Sequence, residues 1–239
     1  MADAALFLDV AATDRQVSYQ QAAGTAPQPL RIALAWKSAA YWPVAARLGA
    51  DQRATVETTA EVLRGLGHSV EEHEVGFPQS MSTNYIVRYL AGVAEQYPSL
   101  SGPDAVAACT RQMASLGRRV PAKVLRKAIA GEAKLAAKVN RIFENYDLVL
   151  TPGAVEEPLK VGTLNNKNAI RTLYSSGRKI PHFAPWNCIG QPAVSIPTGF
   201  SKLDLPVSVQ LAGPPNSEAT LLAVATQLEA AQPWAHKTP

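Results

Sequence analysis

Apolar and β-branched residues near the C-terminal end predict two strands followed by a helix. Residues 193–196 and 207–211 are short β-branched runs closed by proline and glycine, as strands commonly are. Asn216 or Ser217 can cap the helix that follows. The apolar residues of that helix recur at helical spacing: Leu221, Leu222, Ala225 and Leu228. We expect this unit of strand, turn, strand and helix to form the core around which the chain folds.

The first half of the chain predicts a strand, a helix and a second strand in succession. Residues 30–36 form an apolar run, and residues 68–75 form a largely polar one that follows Gly67. The helix between them carries four apolar residues on one face: Val56, Ala60, Leu63 and Leu66. Another apolar run, residues 146–152, predicts a further strand. The pattern is typical of an α/β fold, which we predict as a mixed β-sheet flanked by helices.

Residues 79–146 have helical periodicity throughout, with one helix predicted to start at Pro103–Asp104 and the longest over 121–145. One face of the longest helix is apolar and the other is basic: Lys123, Lys127, Lys134, Lys138 and Arg141. Residues 118–145 carry eight basic residues against two glutamates, which accounts for the net charge of +4. A basic stripe fits an anionic or nucleic-acid partner, or simply a solvated helix face. Because stacking aromatics are not interleaved with it, a nucleic-acid partner is the less favoured interpretation.

The chain divides into four segments by composition. Residues 1–12 predict a helix with almost no polar face, which is typical of a buried helix. Residues 13–29 are polar and rich in Gln, Ala and Gly, so they predict a linker loop. Residues 30–231 contain the α/β body, and residues 232–239 form a tail.

Composition narrows the class of protein and its compartment. The 239 residues are 47% hydrophobic and 18% charged, which is ordinary for a globular protein with an ample core. Cys109 and Cys188 lack the spacing of a zinc site or redox pair, so we expect free thiols in a reducing compartment. No apolar run approaches the roughly 20 residues of a membrane helix, and the N-terminus lacks the pattern of a secretory signal. We therefore expect a cytoplasmic protein that does not enter membranes.

The histidines do not predict a metal site or a hydrolytic triad. His68 and His73, five residues apart on a strand, point to opposite faces and are flanked by glutamates, which favours a solvated edge over metal binding. His182 and His236 lie in a proline-flanked loop and in the tail, and the sequence has no Gly-x-Ser-x-Gly turn to hold a partner serine. No metal or cofactor is predicted.

Several stretches resemble the C-terminal part of amidase signature enzymes. They are NCIGQPA at residues 187–193, IPTGF at 196–200, LPVSVQLAG at 205–213 and the strand at 146–152. The chain departs from the family at Asp204 and Ser208, where members usually have glycine. Glu156 and Glu157 are further departures, in a loop that is often proline-rich. The resemblance covers nearly the whole chain but only the C-terminal half of the family's domain.

The resemblance implies that the complete protein hydrolyses a carbon–nitrogen amide bond with a Ser-Ser-Lys triad and without metal or cofactor. The family's Gly-Gly-Ser-Ser-Gly-Gly-Ser loop and its lysine are absent from this sequence. Residues 174–179 are the stretch most similar to this catalytic loop, and we interpret them as a surface loop. In the family, a valine stands where Met1 does, so we expect a reading frame that starts inside a longer gene. The chain alone is then inactive; the alternative is a non-catalytic remnant or interaction module built on half an amidase fold.

Candidate binding residues follow from the position of loops in α/β sheets. Ligands bind where loops leave the carboxyl ends of strands, which makes Thr151 and the loop of Trp186 and Asn187 candidate walls of a substrate pocket. The same residues also suit turn and packing roles. The expected partners are a small-molecule amide and either a missing N-terminal half or a second copy of the chain, because the first helix is too apolar to be covered on one side only.

Overall fold

The structure is a computed structural model that describes residues 1–13, 17–39, 47–99 and 106–234. Within these ranges the elements follow in this order: α1 (Ala2–Ala11), α2 (Tyr19–Ala23), β1 (Arg31–Leu34), α3 (Ala50–Gly65), β2 (Ser69–Glu72), α4 (Ser80–Gln96), α5 (Ala108–Arg118), α6 (Ala122–Ala130), α7 (Glu132–Val139), β3 (Leu148–Pro152), α8 (Ala169–Gly177), α9 (Phe183–Ile189), β4 (Ala193–Phe200), β5 (Pro206–Ala212) and α10 (Glu218–Ala231). Short 3-10 turns follow α4 and α7, at Tyr97–Ser99 and Asn140–Glu144.

The strands form one mixed sheet in the order β2-β1-β3-β5-β4. β1 pairs in parallel with both β2 and β3, while β5 pairs antiparallel with β3 and β4. The parallel pairs are joined by helical crossovers, as the strand, helix and strand pattern predicts. β3 lies at the centre, and all five of its residues are buried. The predicted α/β fold with a mixed, helix-flanked sheet is confirmed.

Alternate residues of the central strands face two different helical layers. On one side, Ile32, Leu150 and Leu211 pack against α3 and α10. On the other side, Val149 and Ala212 pack against α4, α7 and α9. Because side chains alternate along a strand, a strand covered by helices on both faces is apolar at most positions, as β3 is apart from Thr151. Within the described part of the chain, no helix is both long and apolar enough to cross a membrane.

The helix predicted over 121–145 is divided by Gly131 into α6 and α7 and ends in a 3-10 turn. The amide of Gly131 donates to the carbonyls of both Lys127 and Ala128. The Asn84 side chain of α4 also donates to the Ala128 carbonyl, at 2.6 Å, and so satisfies a carbonyl that a continuous helix would use internally. Glycine has low helix propensity, and an external donor at that point makes the break favourable.

The segment predicted as a linker loop, residues 13–29, contains a short helix, α2. Ser18 caps it by accepting from the amide of Gln21. Asp9 of α1 accepts from the amides of Tyr19 and Gln20. Desolvation raises the pKa of Asp9, but these hydrogen bonds together lower it to about 2. The prediction was wrong here because polar residues that favour loops are also good N-caps.

The first helix is less buried than its composition predicts. Ala5 packs against Ala23 and Leu222, but Phe7 is 69% exposed and Val10 is 79% exposed among the described residues.

Two other predictions of helix and loop positions need adjustment. Residues 174–177, predicted as loop, form the last turn of α8. The helix predicted to start at Pro103–Asp104 begins at Ala108, because Val106 and Ala107 are not helical. Pro103 and Asp104 themselves lie outside the described residues.

Candidate functional site

Four helices, α4, α5, α8 and α9, enclose a cleft of about 230 Å³. Its lining residues are Tyr85, Ile86, Tyr89, Met113, Thr172, Leu173, Ser176, Gly177, Ile180, Phe183, Ala184 and Asn187. The rings of Tyr85 and Tyr89 stack with centroids 5.9 Å apart and planes 21° apart. Burial, with a smaller contribution from Tyr89, raises the pKa of Tyr85. Its hydroxyl is therefore neutral at physiological pH, and the cleft is an apolar space with few polar groups.

The wall formed by α9 is fixed at its C-terminal end. Gly190 adopts the left-handed conformation, with φ of 65°, which glycine enters without the steric cost of a Cβ. Arg88 of α4 donates to the Cys188 carbonyl at 2.8 Å and pairs with Glu132 of α7 at 2.7 Å. These contacts hold α9 between α4 and α7. The positive φ at the end of the helix accounts for Gly190 after an otherwise helical run.

The structure separates the three predicted binding residues. Asn187 is exposed and lines the cleft. Trp186 is 1% exposed and packs edge-on against Phe77, with Phe143 also in contact at 6.2 Å between ring centroids. Thr151 is also 1% exposed, at the end of β3. Asn187 therefore borders the cleft directly, whereas Trp186 and Thr151 are core residues behind it, and a substrate-binding role for all three stays a prediction.

A buried hydrogen-bond network connects the end of β3 with the start of α9. The side-chain amide of Gln210 on β5 donates to Thr151 Oγ1 at 3.2 Å and to the His182 carbonyl at 3.0 Å. His182 immediately precedes Phe183, a residue of the cleft wall. Gln210 thus positions the carboxyl end of the central strand against the cleft. The sequence contained a signal for this hydrogen-bond network, since a glutamine inside a buried strand requires hydrogen-bond partners.

His182 is buried, and its Nδ1 has no hydrogen-bond partner among the described residues. Burial lowers its pKa from 6.5 to about 4, because desolvation disfavours the charged imidazolium. The ring is therefore neutral at pH 7. It does not act as a charged group in the network that surrounds it.

We expect the stability of the protein to fall as the pH is lowered from 6.5 to 4. In that window the unfolded chain protonates His182 while the folded chain does not, so the unfolded state binds more protons and is favoured. The full pKa shift of His182 corresponds to about 3 kcal/mol in the free energy of unfolding. Urea unfolding at pH 7 and pH 4.5 measures this loss of stability. His182→Leu should remove most of this acid sensitivity, whereas the exposed His73→Gln should retain it; equal pH dependence in both variants contradicts the burial of His182.

The serines and lysine of residues 174–179 do not form a catalytic pair. The Lys179 ammonium donates to Glu156 at 2.9 Å and to the Glu157 carbonyl at 2.6 Å, and Arg178 also pairs with Glu156. These hydrogen bonds, the one from Lys179 first, lower the pKa of Glu156 although desolvation opposes them. The Lys179 side chain is therefore held by Glu156 and the Glu157 carbonyl, whereas a general base has to lie within hydrogen-bond reach of the hydroxyl that it activates. Glu156 therefore has a structural role, anchoring the loop after β3.

Other reactive side chains in the described ranges are also held in structural roles. Burial raises the pKa of Cys188, and its thiol donates to Asn84 Oδ1 at 3.5 Å. His68 is buried rather than at a solvated edge: its Nδ1 accepts from the Leu30 amide, and its Nε2 contacts Gln227. In residues 1–13, 17–39, 47–99 and 106–234, no group of three or more His, Cys, Asp or Glu is arranged to hold a metal. His236 lies outside the described residues.

Three residues of the predicted basic stripe line a groove between α4, α6 and α7. They are Lys127, Lys134 and Lys138, and all three are exposed. Asn84, on the opposite wall, is already hydrogen-bonded to Ala128. The break at Gly131 therefore leaves the basic residues on a common face. An exposed lysine face is compatible with solvation alone, and that nucleic acid is a less favoured partner stays a prediction.

Comparison with known proteins identifies close relatives of this chain. A protein-family model described as Amidase matches residues 1–222. The putative amidase AmiB2 of Mycobacterium tuberculosis is 37% identical to this chain over 237 residues, which are 99% of this chain and 51% of that protein. The chain spans about half the length of the curated relatives it matches.

Solved structures show the same fold. A 6-aminohexanoate cyclic dimer hydrolase superposes with a TM-score of 0.80 at 24% identity, covering 100% of this chain and 54% of that one. A bacterial aryl acylamidase of the amidase signature family superposes with a TM-score of 0.74 at 17% identity, covering 99% and 52%. In both cases the chain matches about half of a longer polypeptide.

Proposed function

Because the chain belongs to the amidase family, we propose that it supplies the C-terminal part of an amidohydrolase that cleaves a carbon–nitrogen amide bond. The observation that carries the proposal is the position of the family-like stretch at residues 187–193. It forms the end of α9 and the Gly190 cap, and through Asn187 it lines the cleft. One of the stretches that resemble amidases thus borders the cleft that we propose as the small-molecule site.

The chemistry is divided between this chain and a catalytic part. The resemblance implies a nucleophilic serine, a bridging serine and a lysine. The oxygen of the nucleophilic serine would attack the amide carbonyl, and its proton would pass through the bridging serine and the lysine to the amine as the carbon–nitrogen bond breaks. The acyl-enzyme that remains would then be hydrolysed by water. Among the described residues the serine and lysine of residues 174–179 are unsuited to that role. This chain contributes the cleft, with Asn187 as a hydrogen-bonding group for the substrate and Thr151, Trp186 and Gln210 supporting its walls.

The apolar face of α1 supports a protein partner. Phe7 and Val10 are largely exposed beside Leu6, and solvent-facing apolar clusters often mark interfaces. We propose that this face packs against the catalytic part of the domain, or against a second copy of the chain when that part is missing. The two free cysteines, Cys109 and Cys188, are consistent with a reducing compartment, and we propose the cytoplasm.

We expect the 239-residue chain alone to release no ammonia from acetamide, hexanamide or phenylacetamide above the rate in buffer. A fusion of the chain to the part of Mycobacterium tuberculosis AmiB2 that precedes the matched half should release ammonia from at least one of them. Asn187→Ala in the fusion should lower kcat/KM about tenfold or more without changing the circular dichroism melt, because it removes a substrate contact and no core packing.

Two outcomes contradict the proposal. Turnover by the chain alone that Ser176→Ala abolishes would place the active site in residues 174–179. A folded fusion without activity on any amide would favour the second candidate, a non-catalytic interaction module. The observation that favours this candidate is that Lys179, the lysine of the stretch most similar to the catalytic loop, is held in an ion pair with Glu156.

A further inference from the structure

We propose that the cleft between α4, α5, α8 and α9 binds an uncharged aromatic ring, or an alkyl group of about six carbons, carried by the amide substrate. The inference rests on the proposed function, because it names the substrate class of the same site. Its consequence is selectivity: amides with an apolar substituent bind and react better than small or charged ones.

The size of the cleft fits one ring and its amide group. The volume is about 230 Å³, and an apolar protein cavity of about 150 Å³ is enough to bind benzene. The remaining space accommodates the few atoms of a linker and amide. Acetamide would leave most of the apolar wall uncovered, and a group much larger than one ring would have to extend out of the cleft past Asn187 or Tyr89.

The walls of the cleft have the chemistry that an aromatic ring prefers. Tyr85 and Tyr89 have nearly parallel rings, and Phe183 and Met113 add a further aromatic ring and a polarizable thioether. None of the residues that line the cleft is charged at neutral pH. A carboxylate or ammonium on the substrate would lose its hydration there without gaining a partner, so the cleft selects against charged substituents.

A few polar groups are placed to orient an amide. Thr172 Oγ1 is buried at the cleft wall and has no hydrogen-bond partner among the described residues. The exposed amide of Asn187 lies on another wall, contributed by α9. A buried hydroxyl without a partner is unfavourable unless a ligand satisfies it. Apolar walls with a small number of such polar groups are typical of small-molecule sites, and here a hydroxyl and a side-chain amide are available to hydrogen-bond the amide group of a substrate.

Binding to the chain itself tests the inference without any catalysis. Isothermal titration calorimetry would measure phenylacetamide, hexanamide, acetamide and the phenylacetate anion. We expect phenylacetamide and hexanamide to bind about 30-fold or more tightly than acetamide, because ring or alkyl burial adds on the order of 100 Å² of apolar contact. Phenylacetate should bind as weakly as acetamide. Equal affinities for all four compounds overturn the inference.

Matched tyrosine variants locate the site. Tyr89→Ala should weaken phenylacetamide binding about tenfold, while Tyr97→Ala, just beyond the end of α4 and outside the cleft lining, should leave it unchanged. Ala184→Trp, which fills the cleft, should abolish binding. Circular dichroism melts verify that each variant folds; if one does not, the remaining variants and the ligand series still decide. Unchanged affinity in folded Tyr89→Ala and Ala184→Trp contradicts the inference.

The fusion used for the proposed function separates the two ideas. If it hydrolyses acetamide and phenylacetamide with equal kcat/KM, the amidase proposal stands and the selectivity inference falls. If it hydrolyses no amide but the chain binds phenylacetamide with the expected variant pattern, the cleft ligand stands and the amidase proposal falls. A preference for phenylacetamide of about 30-fold or more in kcat/KM, lost in Tyr89→Ala, supports both.

Discussion

Gly117→Ala is expected to destabilise the protein by about 3 kcal/mol or more, although alanine is normally the better helix residue. Gly117 is a buried residue of α5, and it packs directly against α4. A Cβ at this position would lie 2.6 Å from the Leu90 carbonyl carbon and 2.8 Å from Ala94 Cβ. Since Leu90 contributes backbone rather than a flexible side chain, the two helices would have to separate, and overpacking of this kind is costly.

The matched control is Gly92→Ala in α4, where an added Cβ meets nothing within 4 Å. At that position the usual helix preference for alanine over glycine applies, and the free energy of unfolding should rise by about 0.5–1 kcal/mol. Urea unfolding followed by circular dichroism measures both. The Gly117→Ala change should also weaken phenylacetamide binding, because α4 and α5 each contribute residues to the cleft. If both variants are equally stable, α4 and α5 do not approach as closely as the structure has them.

The sheet could be predicted from the sequence because its signals are local. The runs at β3 and β5 are mostly apolar, as strands covered on both faces usually are. The strand, helix and strand succession implies a parallel pair. The helix break at Gly131 could not be predicted in this way. It depends on Asn84, a residue 44 positions away along the chain whose side chain donates to Ala128, and periodicity carries no information about such contacts.

Two departures from the family pattern have a structural explanation. Asp204 adopts a φ of 58°, in the left-handed region that glycine enters most readily and that aspartate tolerates better than most residues. Ser208 packs beside Gly153, where a Cβ would collide with Ser208 Oγ and lie 2.8 Å from the Ser208 carbonyl oxygen. A glycine on the neighbouring strand end therefore makes room for the side chain that Ser208 carries. Both departures leave the hairpin of β4 and β5 intact.

The cleft was the part of the site that the sequence did not reveal. Tyr85, Tyr89 and Met113 lie on helices whose apolar residues suit core packing equally well. Their convergence depends on how α4, α5, α8 and α9 pack, and that is a tertiary property. The sequence pointed to the α9 segment as a candidate pocket wall, but the side chains of adjacent residues on a helix point about 100° apart. For that reason Asn187 borders the cleft while Trp186 is buried.

Trp186→Ala is expected to lower the free energy of unfolding by about 3–5 kcal/mol, the range for removing a large buried aromatic side chain. Trp186 is among the largest fully buried side chains, and it packs against Phe77 and Phe143 between the sheet and the helices. Its indole Nε1 has no hydrogen-bond partner within the described part of the chain. Trp186→Phe keeps a ring in the same space and removes that donor, so its cost should stay below about 1.5 kcal/mol.

Trp186→Phe and Asn187→Ala then test which of the two side chains contacts a ligand in the cleft. Trp186→Phe should lose some stability and keep its affinity for phenylacetamide within about twofold, because the indole lies behind the cleft wall. Asn187→Ala should keep the stability within about 0.5 kcal/mol, as exposed substitutions do, and bind phenylacetamide several-fold more weakly. Urea unfolding and calorimetry on the same preparations give both quantities. The reverse pattern, with weakened binding only in Trp186→Phe, would mean that the indole contacts the ligand and that Asn187 does not.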